Sequence, residues 1–204
     1  MSKFGRTLFW LASLLVGLAY IAITLGWGWA AFQHMLLHGP HATIFWTHIL
    51  ASATAITVMP FQFWQGLRNR RRALHRWIGR GYVMAVGLGG LSGLYMAFFT
   101  LTGTVSGVAF FVLGVFWLVT TGMAVARARA GQIAAHRRWM IRSAALTMAA
   151  VTLRLYIPIS QVAGLPFDTS YTVISWACWV PNLLIAEWWL NRRPRASAAV
   201  PGRA

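Results

Sequence analysis

Six stretches of roughly twenty apolar residues, separated only by short connectors, leave this chain little choice of environment. An α-helix rises 1.5 Å per residue, so about 20 residues cross a hydrocarbon core near 30 Å thick. The runs fall at roughly 8–31, 43–66, 77–100, 107–126, 139–160 and 170–190. Together they use nearly all of the 204 residues, and no soluble domain fits beside them. Only 10% of the residues are charged, against about a quarter in an ordinary soluble domain. The expected fold is all-α: a polytopic integral membrane protein, one domain over 1–204, built as a six-transmembrane-helix bundle. The first run follows two cations and ends without a small-residue cleavage box, so it reads as a retained helix rather than a cleaved signal peptide.

The cations orient the bundle. With both termini on one face, Lys3, Arg6, the cluster from Arg68 to Arg80, the cluster from Arg127 to Arg142, and Arg192, Arg193, Arg195 and Arg203 all fall on that face. That is seventeen of eighteen Lys and Arg; the exception is Arg154. The positive-inside rule makes this face, with both termini, cytoplasmic. A net charge of +16 would suggest nucleic acid in a soluble protein, but topology and attraction to anionic headgroups account for it here. The expected partner is the lipid bilayer, and no nucleic acid.

Two similar blocks stand at the basic ends of the third and fifth runs: Ala73-Leu-His-Arg-Trp-Ile-Gly-Arg80 and Ala135-His-Arg-Arg-Trp-Met-Ile-Arg142. Both spans start on the same side, so the hairpins 77–126 and 139–190 read as parallel repeats whose copies meet at one depth. Helical phase from His75 gives a stripe through Gly79, Tyr82, Val86, Gly90 and Gly93, overlapped by a small-residue row, Gly81, Ala85, Gly89 and Gly93. Such a row serves either close helix contact or a flat cofactor beside the histidine. A ligand on the repeat axis would see His75 from one side and His136 from the other, with Arg76, Arg80, Arg137, Arg138 and Arg142 near any acidic tail. Haem b meets this demand: a planar apolar ring, iron that takes two trans imidazoles, and two propionates that seek cations near the headgroups. A bis-histidine centre transfers electrons and has no open site for bond chemistry. Equally, Arg and Trp at a span's edge can serve as plain headgroup anchors.

Other polar residues carry weaker signals. From His136 the fifth span runs through Met140, Ser143, Thr147 and Ala150 to Arg154, about 27 Å further along the axis. A cation at that depth faces the interior, where Asp168 or the carbonyls freed by Pro158 are its expected partners. The second span shows a face of His48, Ser52, Ala55, Met59, Gln62 and Gly66, and the sixth a face of Tyr171, Ser175, Cys178 and Asn182, mostly for interhelical hydrogen bonding. Cys178 reads as a small buried hydrophobe, and Glu187 as the partner of Arg192 or of a cation across the bundle. Pro60, Pro158 and Pro181 should kink their spans without forming the paired unwound segments of a transport site. His34, His38, His41 and His48 form an outer cluster that suits zinc or copper by donor type, against a plain polar loop. With Asp168 and Glu187 as the only acids, toward opposite faces, no hydrolytic or acyl-transfer set assembles and no catalytic residue is assigned.

Across nearly its full length the chain resembles the bacterial membrane family termed domain of unknown function 2306. The likeness is carried by His48, Pro60-Phe-Gln-Phe-Trp64, Leu74-His-Arg-Trp-Ile-Gly-Arg80, Ala135-His-Arg-Arg-Trp-Met-Ile-Arg142, Trp179-Val-Pro-Asn182 and Glu187. This resemblance implies topology and a bacterial cytoplasmic (inner) membrane, and no activity. Leu74-His-Arg-Trp-Ile-Gly also resembles the Leu-His-Ser-Trp block of cytochrome b561 proteins, six-helix electron carriers linked to quinone or ascorbate. That likeness implies His75 and His136 as a pair on one haem iron, His48 as a further metal ligand, and a quinone or other membrane electron donor as partner. Span four has no histidine and Arg76 replaces the Ser of the block, so one haem is the most it implies. Three readings stay open: an electron carrier, at most a membrane oxidoreductase; a small transporter or channel using His48 or Arg154; and a structural or assembly protein without cofactor.

Overall fold

The computed structural model describes residues 41–100 and 102–192, with Leu11 and Leu15. The rest of the expected first span, and His34 and His38 of the outer cluster, lie outside the described residues. Among the described residues every regular element is helical. Five stretches are long and apolar enough to cross a membrane: Ala42–Phe63, Arg72–Phe99, Thr104–Arg129, Ile133–Val162 and Phe167–Arg192. They correspond to the last five expected runs. In detail they comprise α1 (Ala42–Phe63), a short α2 (Gln65–Arg70), α3 (Arg72–Met96) with a closing 3-10 turn, α4 (Thr104–Arg129), α5 (Ile133–Thr147), α6 (Ala149–Val162), α7 (Phe167–Ala177) and α8 (Val180–Arg192).

Helices α3 and α5 begin several residues before their apolar runs, so His75 and His136 lie within regular helix. Ala, Leu and Arg are good helix formers, and long arginine stems reach outward to polar surroundings from such positions. The turns beyond α4 and α6 use Gly131 and Gly164 at positive φ (71° and 70°). There the amides of Gln132 and Leu165 reach back five residues to the carbonyls of Arg127 and Ser160, closing orphan carbonyls in the Schellman manner.

Two spans are interrupted, one beside a proline expected to kink its span and one where no kink was expected. Pro181 lacks an N–H and crowds the carbonyl four residues before it, and the chain breaks at Cys178 and Trp179 between α7 and α8. The other break, at Met148 between α5 and α6, has no proline. There the hydroxyl of Thr147 bonds back onto the Ser143 carbonyl of its own helix, a habit that bends helices. The junctions face each other: Thr152 donates to the Cys178 carbonyl, which also accepts from Asn182 Nδ2 at 2.9 Å. Side chains thus satisfy the carbonyl at the break. Pro60 and Pro158 stay within helices.

Polarity runs inside out. Ser106, Ser143 and Ser175 have 0% exposure, while Leu91 and Ile185 are each 63% exposed. Apolar side chains facing outward and hydroxyls facing inward are what lipid requires, since it offers no partner to a polar group. The centre is a hydroxyl cluster joining α3, α4 and α5. Tyr82, fully buried, meets Ser143 Oγ at 2.7 Å and Thr147 Oγ1 at 2.8 Å. Trp117 Nε1–H donates to Thr147 at 2.9 Å, and Thr121 meets Ser143 at 2.7 Å. Thr147 spends its own proton on the Ser143 carbonyl. Tyr82 must therefore donate to Thr147, and Ser143 to Tyr82.

Helix α1 lies along α3, and the glycine row explains how closely. A methyl at Gly79 would stand 3.1 Å from Gln62 Oε1, one at Gly89 3.1 Å from Ser52 Oγ, and one at Gly93 2.9 Å from His48 Cε1. Of the two readings of the row, helix contact describes these positions: side chains of α1 fill the space. Gly81 points into the open.

Two outcomes test this packing. Tyr82→Phe removes one donor and one acceptor from a buried cluster and should cost about 1–3 kcal/mol, read as a lower unfolding midpoint in detergent. Gly107→Ala should destabilise more than Gly90→Ala. At Gly107 the new methyl would meet the Ala97 backbone carbonyl at 2.7 Å, whereas at Gly90 it meets the Leu118 side chain, which can move.

Candidate functional site at the basic end of the bundle

His75 and His136 occupy the same place in their helices. Each is the fourth residue, of α3 and α5 respectively, and each closes the first turn through its amide, to Arg71 O and Gln132 O. Tyr82 and Ser143, seven residues further in, are 61 apart in the chain, the same separation as the two histidines (136 − 75 = 61), and they touch at 2.7 Å. The repeat copies thus meet at one depth. His136 and Arg68 both act electrostatically on His75, so the imidazoles share one neighbourhood.

The two rings are held differently. His136 Nδ1 lies 2.8 Å from the Ala124 carbonyl of α4. A carbonyl only accepts, so Nδ1 carries a proton, and in the neutral ring Nε2 is the nitrogen that keeps a lone pair. That is the tautomer of a metal-ligating histidine, oriented by a backbone acceptor on its far nitrogen. His75 Nδ1 is buried without a hydrogen-bond partner. Nearby, Gln62 is 9% exposed and its Nε2 is likewise unpartnered, while its carboxamide lies across Gly79, one helical turn from His75.

The surrounding cations divide into committed and available ones. Arg142 forms a two-point pair with Glu187 on α8, Nη2 to Oε2 at 2.9 Å, and lies over the Trp139 ring at 4.7 Å. Glu187 therefore pairs across the bundle and not with Arg192, which stacks on Trp188. Arg138 donates to the Leu190 carbonyl at 2.9 Å, near the end of α8, where helix dipole and orphan carbonyls favour a cation. Arg80 stacks on Trp77 at 4.7 Å. Arg76, Arg80 and Arg137 are exposed. Tyr82 does not offer its hydroxyl to this site, because Ser143 and Thr147 engage it about two to three turns deeper.

The outer residues form separate contacts. His48 Nδ1–H donates to the Gly89 carbonyl at 2.8 Å, with its ring against Gly93. His41 bonds Tyr95 Oη at 2.9 Å and stacks on Phe99. Among the described residues no group of three His, Cys, Asp or Glu side chains is placed to hold a metal ion. Arg154 donates to the Ala150 carbonyl at 2.7 Å, where Asp168 or a carbonyl freed by Pro158 was expected. Arg154 is partly exposed. Cys178 is fully buried and bonds weakly to Ser175 O.

This donor set fits haem b in part. His75 and His136 are the residues that would hold such a group, and His136 in its neutral form would offer Nε2. Gly79 offers no flat recess, since Gln62 fills it, and Arg138 and Arg142 are committed elsewhere. Sequence reasoning passed over Trp117 and Thr121, whose signal was a polar atom inside an apolar run, and the Ala124 carbonyl, which leaves no trace in sequence. A double-mutant cycle of Arg142→Ala and Glu187→Ala should give a coupling of about 1 kcal/mol by thermal unfolding in detergent; additive effects would deny the pair a stabilising role.

No curated protein matches the chain, and no solved structure matches it. The family model described as Predicted membrane protein (DUF2306) matches residues 45–190. That span holds His48, Gln62, both His-Arg-Trp blocks, Arg154 and Glu187, and the chain belongs to the DUF2306 family of predicted membrane proteins.

Proposed function

We propose that this multi-pass membrane protein is a b-type cytochrome electron carrier, with one haem b between spans three and five ligated by His75 and His136. The reading is carried by one observation: repeat-related residues Tyr82 and Ser143 touch, so the two histidines stand level at the same end of the bundle. When bound, a haem held by His75 and His136 would supply a one-electron iron couple. The chain's own residues do the rest. The Ala124 carbonyl holds His136 with Nε2 free to ligate. Inward of the histidines lies the buried hydroxyl cluster of Tyr82, Ser143 and Thr147. Arg76, Arg80 and Arg137 supply positive charge at the rim for propionates.

The finer topology belongs to this proposal. A sixth span at 8–31 brings both termini to the basic face, and the cation asymmetry supports making that face cytoplasmic, in a bacterial inner membrane. A quinone or another membrane donor is the corresponding electron partner. The likeness of Leu74-His-Arg-Trp-Ile-Gly to cytochrome b561 proteins supports the same class.

A structural or assembly role draws on a separate observation, the arginine–tryptophan stacks at Trp77, Trp139 and Trp188, which suit headgroup anchoring. An absorption spectrum separates the two. Protein from haem-replete cells should show a reducible low-spin haem spectrum that both His75→Ala and His136→Ala abolish; colourless protein overturns the electron-carrier reading.

A further inference from the structure

We propose that Arg80 and Trp77 form a binding site for an anionic phospholipid of the surrounding leaflet, with its phosphate on the guanidinium and an acyl chain along α3. The assignment holds with or without haem. With lipid bound, Arg80 is withdrawn from the rim of the haem reading, where Arg76 and Arg137 remain.

The chain itself shows what an arginine–tryptophan pair of this kind takes. On α5, Arg142 lies over Trp139, three residues before it, and its guanidinium closes on both carboxylate oxygens of Glu187. On α3, Arg80 lies over Trp77 at the same spacing and the same 4.7 Å, yet makes no ion pair among the described residues. The chain has no acid to give it. Glu187 is taken, Asp168 opens α7 at the opposite end of the bundle, and no other Asp or Glu stands anywhere in the 204 residues, the undescribed ones included. A guanidinium held by stacking, with a fork that matches carboxylate or phosphate, therefore takes its anion from outside the chain.

The face on which the pair stands decides which anion. Trp77, Arg80, Met84, Leu88 and Leu91 follow one another at helical spacing and are all exposed, on the side of α3 opposite His75, Tyr82 and Val86. Trp and Arg mark the headgroup level. From Arg80 to Leu91 is eleven residues, about 16 Å along the axis, the depth of one leaflet of a core about 30 Å thick. A phosphate at Arg80 thus lays its acyl chain on Met84, Leu88 and Leu91. Gly81 adds room, since a methyl there would meet nothing within 4 Å, leaving space beside the guanidinium for a headgroup. A soluble anion would meet the charge without using the stripe beneath it; an anionic lipid satisfies both.

Native mass spectrometry of the purified full chain in detergent, titrated with phosphatidylglycerol or phosphatidylcholine, tests the site. Wild-type protein should bind phosphatidylglycerol more tightly than phosphatidylcholine. Arg80→Gln should weaken phosphatidylglycerol binding by about tenfold, the worth of one hydrogen bond to a charged group, and Gly81→Phe, which fills the open space without changing charge, should weaken it as well. Arg129→Gln removes another exposed cation of the basic end and should leave binding within about twofold of wild type. All three positions are exposed, so the unfolding midpoint of lipid-free protein should be the same in each variant. Equal losses in Arg80→Gln and Arg129→Gln, an affinity untouched by Gly81→Phe, or no preference in the wild type overturns the site. Displacement of phosphatidylglycerol by inorganic phosphate at equal concentration makes the occupant a soluble anion and overturns the lipid assignment.

Discussion

A hydrogen bond left open in hydrocarbon has no water to close it, and the interior of this bundle is organised around that constraint. Tyr82, Trp117, Thr121, Ser143 and Thr147 close one another's bonds where α3, α4 and α5 meet. Each member is a donor or acceptor whose loss strands another, so the cluster favours one register of the three helices over its neighbours. Dispersion packing alone discriminates less sharply, because lipid tails are as apolar as the leucines they would replace.

That register has a consequence about ten ångströms away along the helix axes. Tyr82 and Ser143 each lie seven residues inward from a histidine, so their contact brings His75 and His136 level. The same logic orients His136, whose ring takes the direction dictated by a carbonyl of α4. A site of this kind depends on the helix register beneath it more than on the residues that line it.

The charges obey a related economy. Seventeen of eighteen cations share one face of the expected topology, yet they differ in what they can do. Two close α8 onto α5, one through the sole described ion pair and one through a helix-end carbonyl. Others stack on tryptophan faces, where the ring quadrupole offsets part of the lost hydration. The remainder sets the electrostatic direction of the basic end.

Sequence by itself determined the environment, the number and approximate bounds of the described spans, the repeat and the buried faces of α1 and α3. These follow from hydropathy and helical periodicity, which are local properties. His48, Ser52 and Gln62 could be placed on one stripe because phase is set by 3.6 residues per turn. What each stripe meets could not be read in the same way. That Gln62 covers Gly79, that Glu187 takes Arg142 in place of Arg192, and that Arg154 turns to Ala150 are outcomes of competition among partners on different helices. The interruption at Met148 belongs with them, since it arises where hydroxyls choose between their own backbone and a neighbouring span. Tertiary structure alone decided these, because a hydrogen bond goes to whichever acceptor packing brings within about 3 Å, and no periodicity in one helix records the position of another.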